Sequence, residues 1–176
     1  MVWSFAVTFK IETDWLPAAG VHDPGEAAAW ARVQLTLDLQ VVSELIDERS
    51  RTIRNGFFSS ALPMAEWLAD VWPRLIHERR METETSRGWA EWAGFHHFRA
   101  CRRGGAMVDL RMVRHSDEEM RVQAVPDTDM LLPGISVRFF RKADVRVEAS
   151  VVERELSRFV ESTLERLIDV STPRVQ

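Results

Sequence analysis

The chain has 176 residues, of which 45% are hydrophobic and 28% are charged, as in an ordinary water-soluble globular protein. A chain of this length buries roughly 70% of the surface that its unfolded form exposes, so it needs neither disulfides nor a metal to hold a core. The net charge of −4 argues against a general nucleic-acid-binding protein, and the single cysteine, Cys101, excludes an intramolecular disulfide. The N-terminus lacks an early positive charge, and no apolar run reaches the length of a membrane span. These features predict a cytoplasmic protein without a membrane partner.

Alternating apolar residues predict strands in the first sixty residues. The first strand covers Val2 to Ile11, the second Val33 to Val41, and a shorter one Thr52 to Phe58. Breakers from Pro17 to Gly25 predict a loop between the first two strands. In those two strands the apolar residues occupy one face only, so we expect a sheet with one buried face.

Apolar residues at three- and four-residue steps predict an amphipathic helix from Pro63 to Ile76. Pro63 suits the first turn of this helix, whereas Pro73 is expected to kink or shorten it. A polar linker near residues 79–88 precedes a second predicted helix, from Trp89 to Cys101, which a glycine pair ends.

Shorter strands are predicted after the second helix. Residues 108–113 and 120–124 alternate around a polar turn and predict a hairpin. A strand at residues 135–139 is expected to pair with the segment that contains Val145 and Val147.

The last predicted element is a long helix. Ser150 and Glu153 have the spacing of a capping box, and an apolar stripe follows from Val152 to Leu167. The order of strands, two helices, strands and one helix predicts an α+β fold. We expect a mostly antiparallel sheet with two central helices and a long C-terminal helix, and a single domain over residues 1–176.

Candidate metal-binding and catalytic residues are most frequent between Trp89 and Asp109. His96 and His97 are adjacent, so on a helix they point about 100° apart and cannot easily share one metal ion. Because no second thiol or paired histidine accompanies them, we predict no zinc site and no cofactor. Cys101 lies one helical turn from His97, but a buried structural thiol is favoured over a catalytic pair.

The predicted hairpin also resembles part of metal-dependent nucleases of the restriction-endonuclease type. In those enzymes a carboxylate on one strand and a Glu-x-Lys motif on the next hold Mg²⁺ and orient water. Asp109 and Glu119 occupy these positions, and His97 is a further alternative metal or catalytic residue. Arg121 stands where the lysine is expected, and because arginine keeps its proton, the pattern favours a degenerate nuclease over an active one.

A group of arginines surrounds the same hairpin and could bind an anionic partner such as nucleic acid. Its members are Arg99, Arg102, Arg103, Arg111, Arg114 and Arg121. Trp89 and Trp92 nearby could stack on bases. The favoured alternative is a solvated face that the acidic residues 117–119 balance.

A resemblance to a known family covers about residues 30–168. It rests on residues 152–160 and on Leu62 to Leu75, Trp92, His97, Gly104, Gly105, Asp109 and Leu110. These segments resemble the region that precedes the peptidase domain in bacterial ImmA/IrrE-type zinc endopeptidase proteins. The chain lacks the His-Glu-x-x-His helix of those peptidases, so the resemblance implies an accessory region without proteolytic activity. It also suggests a setting in regulation or phage defence.

Together these patterns predict a non-enzymatic accessory or adaptor domain that binds another protein subunit in a defence or regulatory complex. Trp67, Trp89 and Trp92 are candidate anchors, because aromatic side chains dominate interface energies. The alternative is that all three lie in the core. A second interpretation is nucleic-acid binding through the arginine group, with or without degenerate nuclease chemistry at Asp109 and Glu119. A third is a self-associating structural subunit.

Overall fold

The fold is that of a computed structural model, which describes residues 7–17, 21–47, 49–77, 97–98, 108–126 and 137–171. Within these ranges the chain forms helices and antiparallel sheets, which confirms the predicted α+β fold. The helices are α1 (Pro24–Ala28), α2 (Leu62–His77) and α3 (Ala149–Ser171). None of these helices is long and apolar enough to cross a membrane.

The strands of the described residues assemble into three sheets. In chain order they are β1 (Phe9–Trp15), β2 (Trp30–Leu37), β3 (Gln40–Val41), β4 (Leu45–Asp47), β5 (Ile53–Arg54), β6 (Phe57–Ser60), β7 (His97–Phe98), β8 (Asp109–Arg114), β9 (Glu119–Val125), β10 (Val137–Phe139) and β11 (Ala143–Glu148). In the first sheet β2 pairs with β1, β3 and β6. The second sheet has the order β10-β4-β5, and the third β11-β9-β8-β7.

Apolar alternation explains how the first sheet meets the helices. Phe9 and Ile11 of β1 lie opposite Leu37 and Leu35 of β2, and all four side chains are buried. This confirms the predicted buried face for the described part of the first strand. Helices α2 and α3 pack over the sheets, and most of the buried apolar residues in the described ranges belong to one cluster.

Helix α2 follows its predicted pattern closely. The residues at three- and four-residue steps, including Met64, Leu68 and Leu75, are buried. Pro73 lies inside the helix without ending it, because α2 continues to His77. The missing N–H of Pro73 falls in the last turns, so the helix does not end at this proline, and of the two expected effects, a kink or a shortening, the kink stays a prediction.

The second strand ends earlier than predicted. Asp38 and Leu39 have positive φ angles of 47° and 64°, and they form a two-residue turn between β2 and β3. Leu39 is therefore 85% exposed, although it continues the apolar alternation of β2. A helix, α1, begins at the end of the predicted loop before β2. Asp23 caps its first turn and accepts a 2.8 Å hydrogen bond from the Glu26 backbone N–H.

The predicted strand from Thr52 to Phe58 divides into two. Gly56 has a φ angle of 79°, and an added Cβ there would lie 3.0 Å from the carbonyl oxygen of Val33. This position separates β5, in the second sheet, from β6, in the first. The break needs glycine for both its backbone angle and its close contact.

The predicted helix from Trp89 to Cys101 is wrong where the structure describes it. His97 and Phe98 form β7 and lie opposite Arg111 and Leu110 of β8. Phe98 is buried, and a tertiary contact therefore overrides the local helical pattern. The rest of that segment and the predicted linker near residues 79–88 lie outside the described residues.

Two expectations about the C-terminal part are also wrong. The hairpin of β8 and β9 is confirmed, but β11 pairs with β9, and β10 pairs with β4 instead of with β11. Ser150 does not cap α3, since the helix already includes Ala149 and the Ser150 hydroxyl donates to the Glu148 carboxylate. Glu153, its expected capping partner, forms an ion pair with Arg114.

Candidate functional site

The tryptophan predicted as an anchor on α2 belongs to the core. Trp67 is fully buried, and its ring centroid lies 5.3 Å from that of Phe98. A buried side chain offers no surface to a partner, so Trp67 is a core residue and not an anchor. Trp89 and Trp92 lie outside the described residues.

Arg114, one of the predicted anion-binding arginines, forms hydrogen bonds to other parts of the molecule. Its guanidinium donates to the carbonyl oxygen of Ile76 at 2.5 Å and to the carboxylate of Glu153 at 2.6 Å. It also donates to the carbonyl oxygen of Asp117 at 2.6 Å. Arg114 thereby joins the end of α2, the first turns of α3 and the β8–β9 turn, and it is not available to an external anion.

Arg121 is also paired. Its Nε donates to Asp144 at 2.7 Å, and Nη2 donates to the other carboxylate oxygen. Gln123 adds a hydrogen bond of 2.9 Å to Asp144. Arg111 is exposed on β8, while Arg99, Arg102 and Arg103 lie outside the described residues. The described part of the hairpin therefore carries balanced charge instead of a basic patch.

The Arg121 pairing predicts a pH dependence of stability. The Arg121 hydrogen bond lowers the pKa of Asp144 to about 2, although partial desolvation opposes this. Because the folded pKa lies below the unfolded one, the ionised carboxylate stabilises the fold above about pH 4 and loses this effect as the pH falls toward 2. We expect Asp144→Asn to lower the free energy of unfolding at pH 7 by less than about 1 kcal/mol, since the pair is largely exposed.

Urea denaturation of both proteins at pH 7 and near pH 2 measures this difference. The difference between Asp144→Asn and the unmodified protein should shrink at the lower pH, where Asp144 becomes protonated. An equal difference at both pH values would contradict the assignment.

Asp109 and Glu119, the alternative metal or catalytic pair, are not brought together. Asp109 lies opposite Val125, at the end of β9 away from Glu119. At about 3.3 Å per residue the two acids are roughly 20 Å apart, too far to share an ion. His97 lies in β7, opposite Arg111. Among the described residues no group of three or more His, Cys, Asp and Glu is placed to hold a metal.

A largely apolar groove lies between α2 and α3. Its volume is about 410 Å³. It is lined by Ala69, Trp72, Pro73, Ser157, Val160 and Glu161. Trp72 and Val160 are half-buried and pack against the core, so the floor of the groove is fixed by both helices.

An apolar stripe continues from this groove along α3. Leu164 and Ile168 follow Val160 at successive four-residue steps, which places all three on one side of the helix. Leu164 is 52% exposed and Ile168 65% exposed. The predicted core stripe therefore divides: Val152, Leu156 and Phe159 face the core, whereas Leu164 faces solvent.

Acidic residues lie in the groove and one helical turn beyond it on both helices. Glu161 lines the groove, and Glu165 follows one turn later on α3. On α2, Glu66 lies one turn before Ala69, and it is exposed. The border therefore favours a ligand with positive charge beside an apolar surface.

A second concavity, of about 390 Å³, lies between β1 and α3. The backbone groups of Ile11 point away from β2 and toward α3. The Arg158 guanidinium donates to the Ile11 carbonyl oxygen at 2.9 Å, and the Ile11 N–H donates to Glu155 at 3.5 Å. Glu155 is buried and also accepts a 2.6 Å hydrogen bond from Arg158. These contacts close the outer edge of β1 at Ile11.

Comparison with known proteins identifies no relative: no family model, curated protein or solved structure matches the chain. The assignment of a site therefore depends on the geometry of the described residues alone.

The sequence pattern includes residues that line the groove, but it does not predict that they are arranged as a groove. Val160 and Leu164 belong to the predicted apolar stripe of α3, and a helical pattern alone assigns both to the core. The signal that separates them is the charge that surrounds Leu164, since Glu161 and Glu165 flank it on the exposed side. Glu155 and Arg158 give no such signal, because their contact with Ile11 joins distant parts of the chain.

Proposed function

We propose that the protein is a non-enzymatic accessory or adaptor domain that acts by binding another protein. The observation that carries this proposal is the apolar stripe that leaves the α2–α3 groove through Val160, Leu164 and Ile168. Large exposed apolar side chains in a contiguous row beside a groove are typical of protein interaction sites. The competing metal-dependent interpretation loses support, because Asp109 and Glu119 lie at opposite ends of their hairpin.

The partner segment that fits this surface is an amphipathic helix with basic residues beside its apolar face. A groove between two helices accepts a third helix, whose apolar side chains recur at three- and four-residue steps. The stripe on α3 has the matching spacing. Lysine or arginine on the partner would lie against Glu66, Glu161 and Glu165, and this charge complementarity would fix the orientation.

The cellular setting belongs to the same proposal. We place the protein in the cytoplasm, in a bacterial defence or regulatory complex. The resemblance to the accessory region of ImmA/IrrE-type proteins supports this setting by association only. Nucleic-acid binding through Arg99, Arg102 and Arg103 is the competing outcome of the experiment.

The experiment is affinity capture of the tagged full-length protein from its host, with and without nuclease, compared with two variants. Leu164→Asp combined with Ile168→Asp places charge on the exposed stripe without touching the core. Leu39→Asp is the matched control, because Leu39 is also exposed and apolar but lies at the β2–β3 turn. We expect a stoichiometric, nuclease-resistant partner that the control retains and the double variant loses.

Cross-linking mass spectrometry then identifies the bound segment, which should be a helix rich in lysine or arginine. A partner retained equally by the double variant would overturn the assignment of the groove. Recovery that depends on intact nucleic acid, and that is lost in Arg102→Glu combined with Arg103→Glu, would overturn the protein-binding proposal itself.

A further inference from the structure

Among the strands that the structure describes, β11 has an unpaired outer edge. The Ala149 N–H donates to the Glu118 carbonyl oxygen at 2.7 Å, and these two residues continue the register in which Glu148 lies opposite Glu119. Bonded and non-bonded pairs alternate along an antiparallel ladder. Val145 and Val147 therefore direct their backbone groups toward β9. The backbone groups of Asp144, Arg146 and Glu148 therefore point away from β9.

The outward-directed residues are Asp144, Arg146 and Glu148, and all three are exposed. β11 is the last strand of its sheet, and no described strand pairs with this edge. An unpaired strand edge presents a row of backbone donors and acceptors that fits another strand. The side chains along this edge determine which strand can pair with it.

The charges along this edge are complementary to themselves. From Lys142 to Glu148 the exposed positions carry the alternating signs of Lys142, Asp144, Arg146 and Glu148. When a second copy is placed antiparallel with the twofold axis at Val145, Asp144 lies opposite the partner's Arg146. Lys142 then lies opposite the partner's Glu148. Each charge on the edge thus meets its opposite across the axis, in addition to the pairs that Asp144 forms with Arg121 and Arg146 with Glu119 within the chain.

The same register also suits the backbone and the buried face. It places outward-directed residues opposite one another, as bonded pairs require. It sets Val145 beside the partner's Val145 and Ala143 beside the partner's Val147, and both Ala143 and Val145 are partly buried against the core. A shift of the twofold axis by one residue places Arg146 opposite the partner's Arg146, or Asp144 opposite the partner's Asp144. Like charges then repel, so the charges disfavour both of these shifted registers, and the register about Val145 makes the largest number of opposite-charge pairs.

We propose that two copies of the chain associate through β11, in antiparallel register about Val145, to form one continuous sheet across a twofold axis. The proposal is independent of the α2–α3 groove, because it involves a different face of the molecule and a different partner. A variant that abolishes binding at the groove can therefore still be tested for association through β11, and the reverse also holds.

The test uses charge reversal and its complementation. Arg146→Asp sets Asp144 against an aspartate, and Asp144→Arg sets Arg146 against an arginine, so each variant alone should dimerise at least about tenfold more weakly. An equimolar mixture of the two variants restores opposite charges at both positions, so it should form a dimer that neither variant forms alone. Arg111→Asp is the control, because it makes the same charge change as Arg146→Asp on an inner strand of the same sheet.

Sedimentation equilibrium of the full chain from about 10 µM to about 1 mM covers the affinity expected of a small interface. A reversible dimer that the single variants lose, the mixture regains and the control keeps would support the proposal. A monomer at every concentration, or a dimer that Arg146→Asp leaves unchanged, would overturn it. Failure of the mixture to associate would also overturn it.

A covalent readout tests the register directly. In a Cys101→Ser background, Val145→Cys should form an intermolecular disulfide on mild oxidation, because residue 145 lies beside its own copy across the axis. A dimer that does not form this disulfide would assemble through another surface, and the β11 assignment would be wrong.

Discussion

Replacing Trp67 by alanine is expected to lower the free energy of unfolding by about 3–5 kcal/mol, the usual cost of removing a large buried aromatic side chain. Trp67 is fully buried on α2 and packs against Phe98 of β7. The substitution leaves a cavity between the helix and the third sheet. Urea denaturation followed by circular dichroism measures the loss, since this signal does not depend on the other tryptophans.

Trp72→Ala provides the comparison for this prediction. Trp72 lies on the same helix but is only half-buried, so its removal should cost distinctly less. Trp67→Phe should retain part of the packing against Phe98. Its loss of unfolding free energy should therefore lie between the losses in Trp67→Ala and Trp72→Ala. A loss below about 1 kcal/mol in Trp67→Ala would show that this side chain is not a central core residue.

Arg114→Ala is expected to destabilise the fold by about 2–4 kcal/mol, because it leaves a nearly buried polar site without its donor. The Arg114 side chain is 12% exposed and serves the carbonyl oxygens of Ile76 and Asp117 together with Glu153. Arg114→Lys should recover only part of the loss, since an ammonium group lacks the planar, forked geometry that reaches all three acceptors.

The matched control is Arg121→Ala. Its side chain is 37% exposed and pairs with Asp144 at the surface, so we expect a cost below about 1 kcal/mol. A double-mutant cycle of Arg114→Ala with Glu153→Ala isolates the energy of the ion pair from that of the carbonyl contacts. Equal losses of unfolding free energy in Arg114→Ala and Arg121→Ala would contradict the role of Arg114 in joining α2, α3 and the β8–β9 turn.

The sequence predicts those elements whose pattern is set by local burial. The three- and four-residue steps of α2 and the alternation of β8 and β9 are visible because each element buries one face. The same patterns do not reveal which strand pairs with which. Val145 and Val147 alternate equally well whether β11 pairs with β10 or, as it does, with β9.

Residues that join distant segments were the least predictable. Arg114 reads in sequence as one member of a basic group, and only the arrangement of α2 beside α3 shows that its guanidinium faces inward. Leu39 continues an apolar alternation, but its positive φ angle places it in a turn. In both cases the deciding information is a backbone angle or a long-range contact that no local pattern contains.

The closed edge of β1 limits how the molecule can grow by strand addition. Glu155 and Arg158 of α3 occupy the backbone groups of Ile11, so an incoming strand cannot pair continuously along β1. A protein with two open edges can add copies at both ends and extend into a filament. Pairing of β11 about a twofold axis closes on itself, and the contacts at Ile11 interrupt pairing along β1, so a high local concentration of the protein does not lead to open-ended polymerisation through these two edges.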